Sequence, residues 1–147
     1  VTATAFADQV HAATRDARAV VEQVMADPRV SERFHRTDTE PGPFARELLE
    51  GIRRVDNRGR LRYCRHLSKR GPSPCWVFGW RPGRLYCHVC ATVELAVTRA
   101  SVEDNVCDVC RKTFPGLWAV VGAAGPFLLS FGACGSCFTA ETRRVAS

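Results

Sequence analysis

Three Cys-x-x-Cys pairs, Cys87-His-Val-Cys90, Cys107-Asp-Val-Cys110 and Cys134-Gly-Ser-Cys137, stand in the second half of the chain. A Cys64-Arg-His66 element precedes them, and one further cysteine stands at Cys75. Two thiolates spaced by two residues lie on one tight turn and reach a single metal ion together. Four such donors in tetrahedral array suit Zn²⁺, which takes sulfur and imidazole ligands. A lone pair is shared with redox motifs, but three pairs plus a Cys-x-His point to metal. The spacing predicts two closed structural zinc sites.

Order along the chain assigns Cys64, His66, Cys87 and Cys90 to the first site, and Cys107, Cys110, Cys134 and Cys137 to the second. A rival set for the first site replaces His66 with Cys75. Pairs shared crosswise between the two sites are a third arrangement. Under the first assignment Cys75 is a small, buried residue opening a strand. His88, inside a Cys-x-x-Cys turn, is expected to face solvent, and His11 and His35 read as surface residues.

An even count of eight cysteines also permits disulfides. Cysteines three apart rarely bond to each other, and the opening Val-Thr-Ala-Thr-Ala-Phe-Ala-Asp lacks the basic start and apolar run of a signal peptide. A reducing, cytoplasmic setting with zinc is therefore the expectation.

The elements that must position these ligands are legible in part. Residues Ala3 to Ala26 place Phe6, Val10, Ala13, Ala17, Val20 or Val21, and Val24 at helical spacing, which predicts one amphipathic helix. Asp27-Pro28 ends it. A helical turn is expected around Val30–His35 and a loop over Thr37–Pro43. A second helix is expected from Phe44 to Val55, with Phe44, Leu48, Leu49 and Ile52 on one side. These helices pack on the zinc region or serve as a docking hairpin.

No charged residue occurs from Thr113 to Ala140, a run long enough to cross a bilayer. Its glycines and prolines, and the cysteine pairs at both ends, favour a buried hairpin. Leu117–Val121 and Phe127–Phe131 are apolar on both faces, which predicts cover on two sides. The N-terminal helices are the natural cover, and a second protomer is the alternative.

The cysteine region contains two similar stretches. Trp76 to Tyr86 and Trp118 to Ala133 each read as an apolar strand, a Gly/Pro turn and a second strand, followed by a Cys-x-x-Cys that opens a helix. Ahead of each lies a further ligand pair, Cys64-Arg-His66 or Cys107-Asp-Val-Cys110. Over about Arg62 to Arg144 this order resembles the treble-clef zinc fingers, although Cys-x-His replaces the usual knuckle in the first unit. The resemblance implies zinc and architecture. It implies no single activity, since such folds serve nucleic-acid binding, protein binding and nuclease work alike. The expected fold class is α+β, with a helical region 1–57 packed on a double zinc-binding region 58–147 (units 62–100 and 105–144).

Of the 21 basic residues only Lys69 and Lys112 are lysines, and the net charge is +6. Arg53, Arg54, Arg58, Arg60, Arg62, Arg65, Lys69 and Arg70 are opposed only by Asp56, a local net of +7. Tyr63, Trp76, Phe78, Trp80 and Tyr86 follow, with Arg81 and Arg84 among them. Cations mixed with aromatics supply phosphate contacts and stacking surfaces, and the bland alternative is a solvated loop beside a small core.

Catalysis finds little support. Four ligands close each site to water, and the His-x-Glu of the zinc deaminases, the His-rich nuclease signature and a Gly-rich phosphate loop are all missing. Thiol redox work would need a pair free of metal. The expectation is a non-enzymatic zinc protein binding DNA or RNA through the ten basic residues named. A protein–protein adaptor or homodimer is the alternative, and no membrane is involved.

Overall fold

The apolar run folds as the hairpin its glycines and prolines predict. Strands β5 (Trp118–Ala124) and β6 (Phe127–Ala133) pair antiparallel, with Trp118 opposite Ala133 and Ala124 opposite Phe127. Gly125 takes φ +57° at the first central position of the turn, and Pro126 fixes the second at negative φ. The computed structural model describes residues 2–27, 34–36, 41–68 and 72–143 of the 147.

The hairpin is the middle of a four-stranded sheet. β3 (Cys75–Phe78) lies parallel to β6, β1 (Phe34–Arg36) lies parallel to β5, and the order is β1-β5-β6-β3. Both faces are covered. Helix α1 (Ala3–Ala26) sets Ala17 and Val21 against Trp76, Phe78, Val121, Ala123 and Leu128. Helix α2 (Pro43–Asn57) sets Ala45, Leu48 and Ile52 against Val77, Val120, Leu129 and Phe131. Adjacent strand residues such as Val120 and Val121 therefore belong to opposite cores, and the strands read as continuous apolar runs. The chain is mixed α+β. Among the described residues no helix is long and apolar enough to cross a membrane.

Three details depart from the sequence reading. Phe34–Arg36 is a strand beside Ala119–Val121, where part of a helical turn was expected; residues 30–33 of that turn lie outside the described residues. A three-residue segment has no periodicity of its own, and here the open edge of β5 decides its conformation. Phe6 is 55% exposed, so α1 begins to bury its apolar stripe only a turn or more further on. The expected first hairpin is a single bridge, in which Trp76 and Tyr86 exchange backbone bonds of 2.7 and 3.0 Å. β3 is buried at all four residues, so it joins the large sheet, while β4 (Arg84–Leu85) pairs in parallel with β2 (Arg62–Tyr63).

Two shorter helices, α4 (His88–Arg99) and α5 (Gly135–Thr142), begin directly after Cys87 and Cys134, which are their N-cap residues. α5 in turn completes α2. Gly42 at the N-cap of α2 has no side chain to offer, and the N–H groups of Phe44 and Ala45 donate instead to the Glu141 carboxylate, at 2.8 and 3.0 Å. A buried anion at a helix N-terminus is favoured by both the orphan donors and the helix dipole. A Cβ on Gly42 would collide with Glu141.

Glu141→Ala is expected to destabilise the metal-loaded protein by about 2 kcal/mol, the scale of hydrogen bonds to a charged group. Gly42→Ala should cost a comparable amount by displacing the same carboxylate. The double variant, measured by urea unfolding, should fall short of the sum, because both changes break one contact.

Candidate metal centres

Cys64 lies between β2 and the short helix α3 (Arg65–Ser68), which carries His66. Cys87 and Cys90 stand at the start of α4 and face them. The donor atoms of Cys64, His66, Cys87 and Cys90 all lie within 4.8 Å of one another, and so do those of Cys107, Cys110, Cys134 and Cys137. His66 Nδ1 is 3.6 Å from Cys87 Sγ and 3.3 Å from Cys90 Sγ, and Cys110 Sγ is 4.0 Å from Cys134 Sγ. A tetrahedral ion at zinc bond lengths separates nitrogen from sulfur by about 3.5 Å and sulfur from sulfur by about 3.8 Å. Both donor sets fit such an ion. No cysteine is in a disulfide, and Cys75, 7% exposed at the head of β3, stands outside both tetrads. The sets are consecutive in sequence, with no crosswise sharing.

The backbone prepares each tetrad in the same way. The N–H of Cys87 donates to Cys64 Sγ at 3.5 Å, and the N–H of Cys134 donates to Cys107 Sγ at 3.3 Å. In each site the cysteine that caps a helix thus points its amide at the sulfur of the first ligand. The Cys90 N–H adds a bond to Cys87 Sγ, and the Ser136 hydroxyl lies 3.5 Å from Cys134 Sγ. The knuckle before β5 closes through Arg111 N–H to Cys107 C=O and Cys107 N–H to Lys112 C=O, which requires φ +62° at Arg111.

These donors act on the thiols. Burial works to raise Cys64, but the amides of Cys87 and Leu67 and the neighbouring thiols outweigh it and bring it down to about 6. The Ser136 hydroxyl and the Cys137 amide bring Cys134 down to about 6. Within the same tetrads burial, then the sharing of hydrogen bonds with other thiols, pushes Cys90 up to about 11 and Cys137 up to about 12. One sulfur ionises readily and the next ones resist, first because they are buried and then because they share hydrogen bonds and charge with the other thiols. A dication among them removes that resistance, which is what a metal site requires.

Two residues that the spacing argument passed over support the second tetrad. Asp108, between Cys107 and Cys110, exchanges bonds with Gly132 of β6: its amide donates to Gly132 C=O at 2.9 Å, and its carboxylate accepts from Gly132 N–H at 2.7 Å. Burial pushes its carboxyl up to about 6 despite that bond and the Arg111 guanidinium 3.6 Å away. Ser136 is the other. An acid inside a Cys-x-x-Cys was the available signal for the first; the serine had none.

The basic residues divide. Arg53, Arg54, Arg58, Arg60, Arg62, Arg65 and Arg84 are exposed on α2, the turn after it, the β2–β4 ribbon and α3. Arg62 and Arg84 face each other across that ribbon. Arg53 lies 3.5 Å from Glu50. Arg81 is committed elsewhere, held by Glu94 at 3.0 Å and Glu103 at 3.3 Å. Lys69 and Arg70 lie outside the described residues. The aromatics differ from the sequence reading: Trp76, Phe78 and Tyr86 are 7%, 0% and 4% exposed, and Phe78 stacks on both Trp76 and Trp80. They are spent in the core, because β3 is an inner-facing strand covered by α1. Tyr63, 52% exposed beside Arg62, is the aromatic left for stacking. His11 and His88 are exposed as expected, and the side chain of His35 is not described.

A chelator added to the metal-loaded protein should remove metal in two phases. The first site, whose His66 is exposed and whose Cys64 and Cys90 are half-buried, should empty before the second, where Cys107 and Cys134 are buried. Donors must be deprotonated to bind, so both phases should quicken as the solution is made more acidic. His66→Ala should abolish the fast phase and keep the slow one, read by a chromogenic chelator.

No family model, no curated protein and no solved structure matches this chain.

Proposed function

We propose that this is a non-enzymatic zinc protein in which two structural sites of treble-clef type hold a basic surface for nucleic acid. The donor sets, three sulfurs with one imidazole and four sulfurs, are those Zn²⁺ prefers, and four donors leave no coordination position for a substrate or water. In both units a helix opens with the last ligand pair; the knuckle and hairpin ahead of it are complete in the second unit alone. Thiolate sites of this kind belong in a reducing compartment, the cytoplasm.

The observation that carries the nucleic-acid reading is the exposed arginine group around the first site. Arg62 and Arg84 sit side by side on the ribbon, Arg65 is next to two ligands, and Tyr63 is open beside Arg62 in sequence. Arg84 lies over the Tyr86 ring at 5.1 Å, yet like charges placed opposite each other are unfavourable, and an anion across the pair would relieve them. The phosphate backbone is such an anion, and an open tyrosine adds a stacking face for an unpaired base.

A second reading, a protein adaptor, draws on a different surface. The hairpin and the inner faces of α1 and α2 are consumed in the core, but Val89, Val93 and Val97 on α4 are 67%, 60% and 56% exposed at helical spacing. One uncharged helix face suits a protein partner better than a phosphate chain.

Fluorescence anisotropy of the zinc-loaded protein with labelled duplex DNA, single strands and structured RNA, over a salt series, tests the leading reading. Salt-sensitive binding is expected, and Arg62→Glu with Arg84→Glu should lower the slope of log K against log salt by about 1.4 to 1.8. Binding that ignores salt and both reversals, or no binding to any of the three at low salt, would refute the nucleic-acid reading.

A further inference from the structure

A cavity of about 490 Å³ opens where α1, α4 and the 3₁₀ turn Val102–Asn105 meet β5 and β6. All three tryptophans of the chain, Trp76, Trp80 and Trp118, line it, above a floor that includes Ala119 and Val121. The volume falls among those of small-molecule sites, and apolar residues make up most of the wall. Trp76 and Trp80 also stack on Phe78, and Trp118 on Phe138, so the core holds the indoles in place around the cavity.

Two buried polar atoms on residues of the same wall are unsatisfied. Trp76 Nε1 and Thr98 Oγ1 find no hydrogen-bond partner among the described residues, and Trp76 and Thr98 are only 7% and 6% exposed. Trp80, in contrast, donates its Nε1–H to Glu94 at 3.1 Å. An orphaned indole N–H is costly, and it is a donor only. Both atoms belong to residues that line the cavity, and an acceptor brought to the indole is what would satisfy its donor.

The mouth has its own charge. Glu103, Asp104 and Asp108 border it against Arg99, although the chain as a whole carries +6. Arg81 and Arg111 face Glu103 and Asp108 from outside the lining. A polyanion is unsuited to this opening. We infer that the cavity is a small-molecule site for a planar aromatic compound, neutral or cationic, whose ring acceptor takes the Trp76 N–H. The site is separate from the arginine surface, and its failure would leave the nucleic-acid reading standing.

The test uses the full, zinc-loaded, ¹⁵N-labelled chain, whose three indole N–H resonances all report on the cavity. Quinoline, N-methylquinolinium and quinoline-2-carboxylate serve as probes with an acceptor, with a cation and with an anion. Quinoline should shift the Trp76 and Trp80 resonances saturably, and the carboxylate should bind about tenfold more weakly. Ala119→Phe, which fills the cavity from β5, should abolish the shifts with both metals retained. Trp76→Phe should weaken quinoline about fivefold, the scale of one neutral hydrogen bond, and leave N-methylquinolinium unchanged. Absence of a saturable shift, tighter binding of the carboxylate, or equal weakening of both probes by Trp76→Phe would overturn the proposal.

Discussion

Cys134 is the point through which most of the structure is held. It follows the last residue of β6, caps α5, and shares its tetrad with Cys107 and Cys110 at the open end of the hairpin. A metal ion held there would fix the start of α5, α5 carries Glu141, and Glu141 caps the helix that covers one face of the sheet. Structural zinc contributes on the order of 10–16 kcal/mol in small modules, several times the worth of any single cap or ion pair. The order of dependence therefore runs from metal to helix to sheet cover. Asp108 adds a second tie, joining the knuckle to Gly132 on the strand that β3 also uses.

The two tetrads share a backbone design but not a setting. Each has a capping cysteine that donates to the first ligand's sulfur. The second is anchored in the large sheet with two buried ligands, while the first bridges a two-residue strand pair and a helix and keeps its imidazole in solvent. One serves as a foundation; the other stiffens an outlying surface, the one on which Arg62, Arg65 and Arg84 are presented. The cavity belongs to the foundation side, lined by Asp108 and by β5 and β6.

What the sequence disclosed follows from range. Ligand pairs, the periodicity of α1 and α2, the Gly125-Pro126 turn and the helices after Cys87 and Cys134 are local patterns, each complete within a few turns of chain. Double cover of the hairpin was also legible, because Val120 and Val121, or Leu128 and Leu129, are apolar on successive residues. The partner of β3 was not. Trp76 to Tyr86 has the grammar of a hairpin, yet only one bridge forms, since the apolar faces of β3 find more surface beside β6 than beside Arg84-Leu85. The fate of Trp76, Phe78 and Tyr86 followed from that choice, and so did the loss of most of the expected stacking surface. Glu141 had a faint signal, the first charge after an uncharged run, but nothing local tied it to Gly42.

The cap on α2 has a further consequence during synthesis. Phe44 and Glu141 are 97 positions apart, and β3 likewise waits for β6. At ribosomal speeds of about 5 to 20 residues per second, the N-terminus of α2 spends roughly 5 to 20 seconds without its anion. The first tetrad, spanning Cys64 to Cys90, closes within that interval and is the earliest point at which the nascent chain can gain lasting order. If the tetrads fill as they emerge, availability of metal at that moment would set how long the apolar faces of α1 and β3 stay open to the wrong partner.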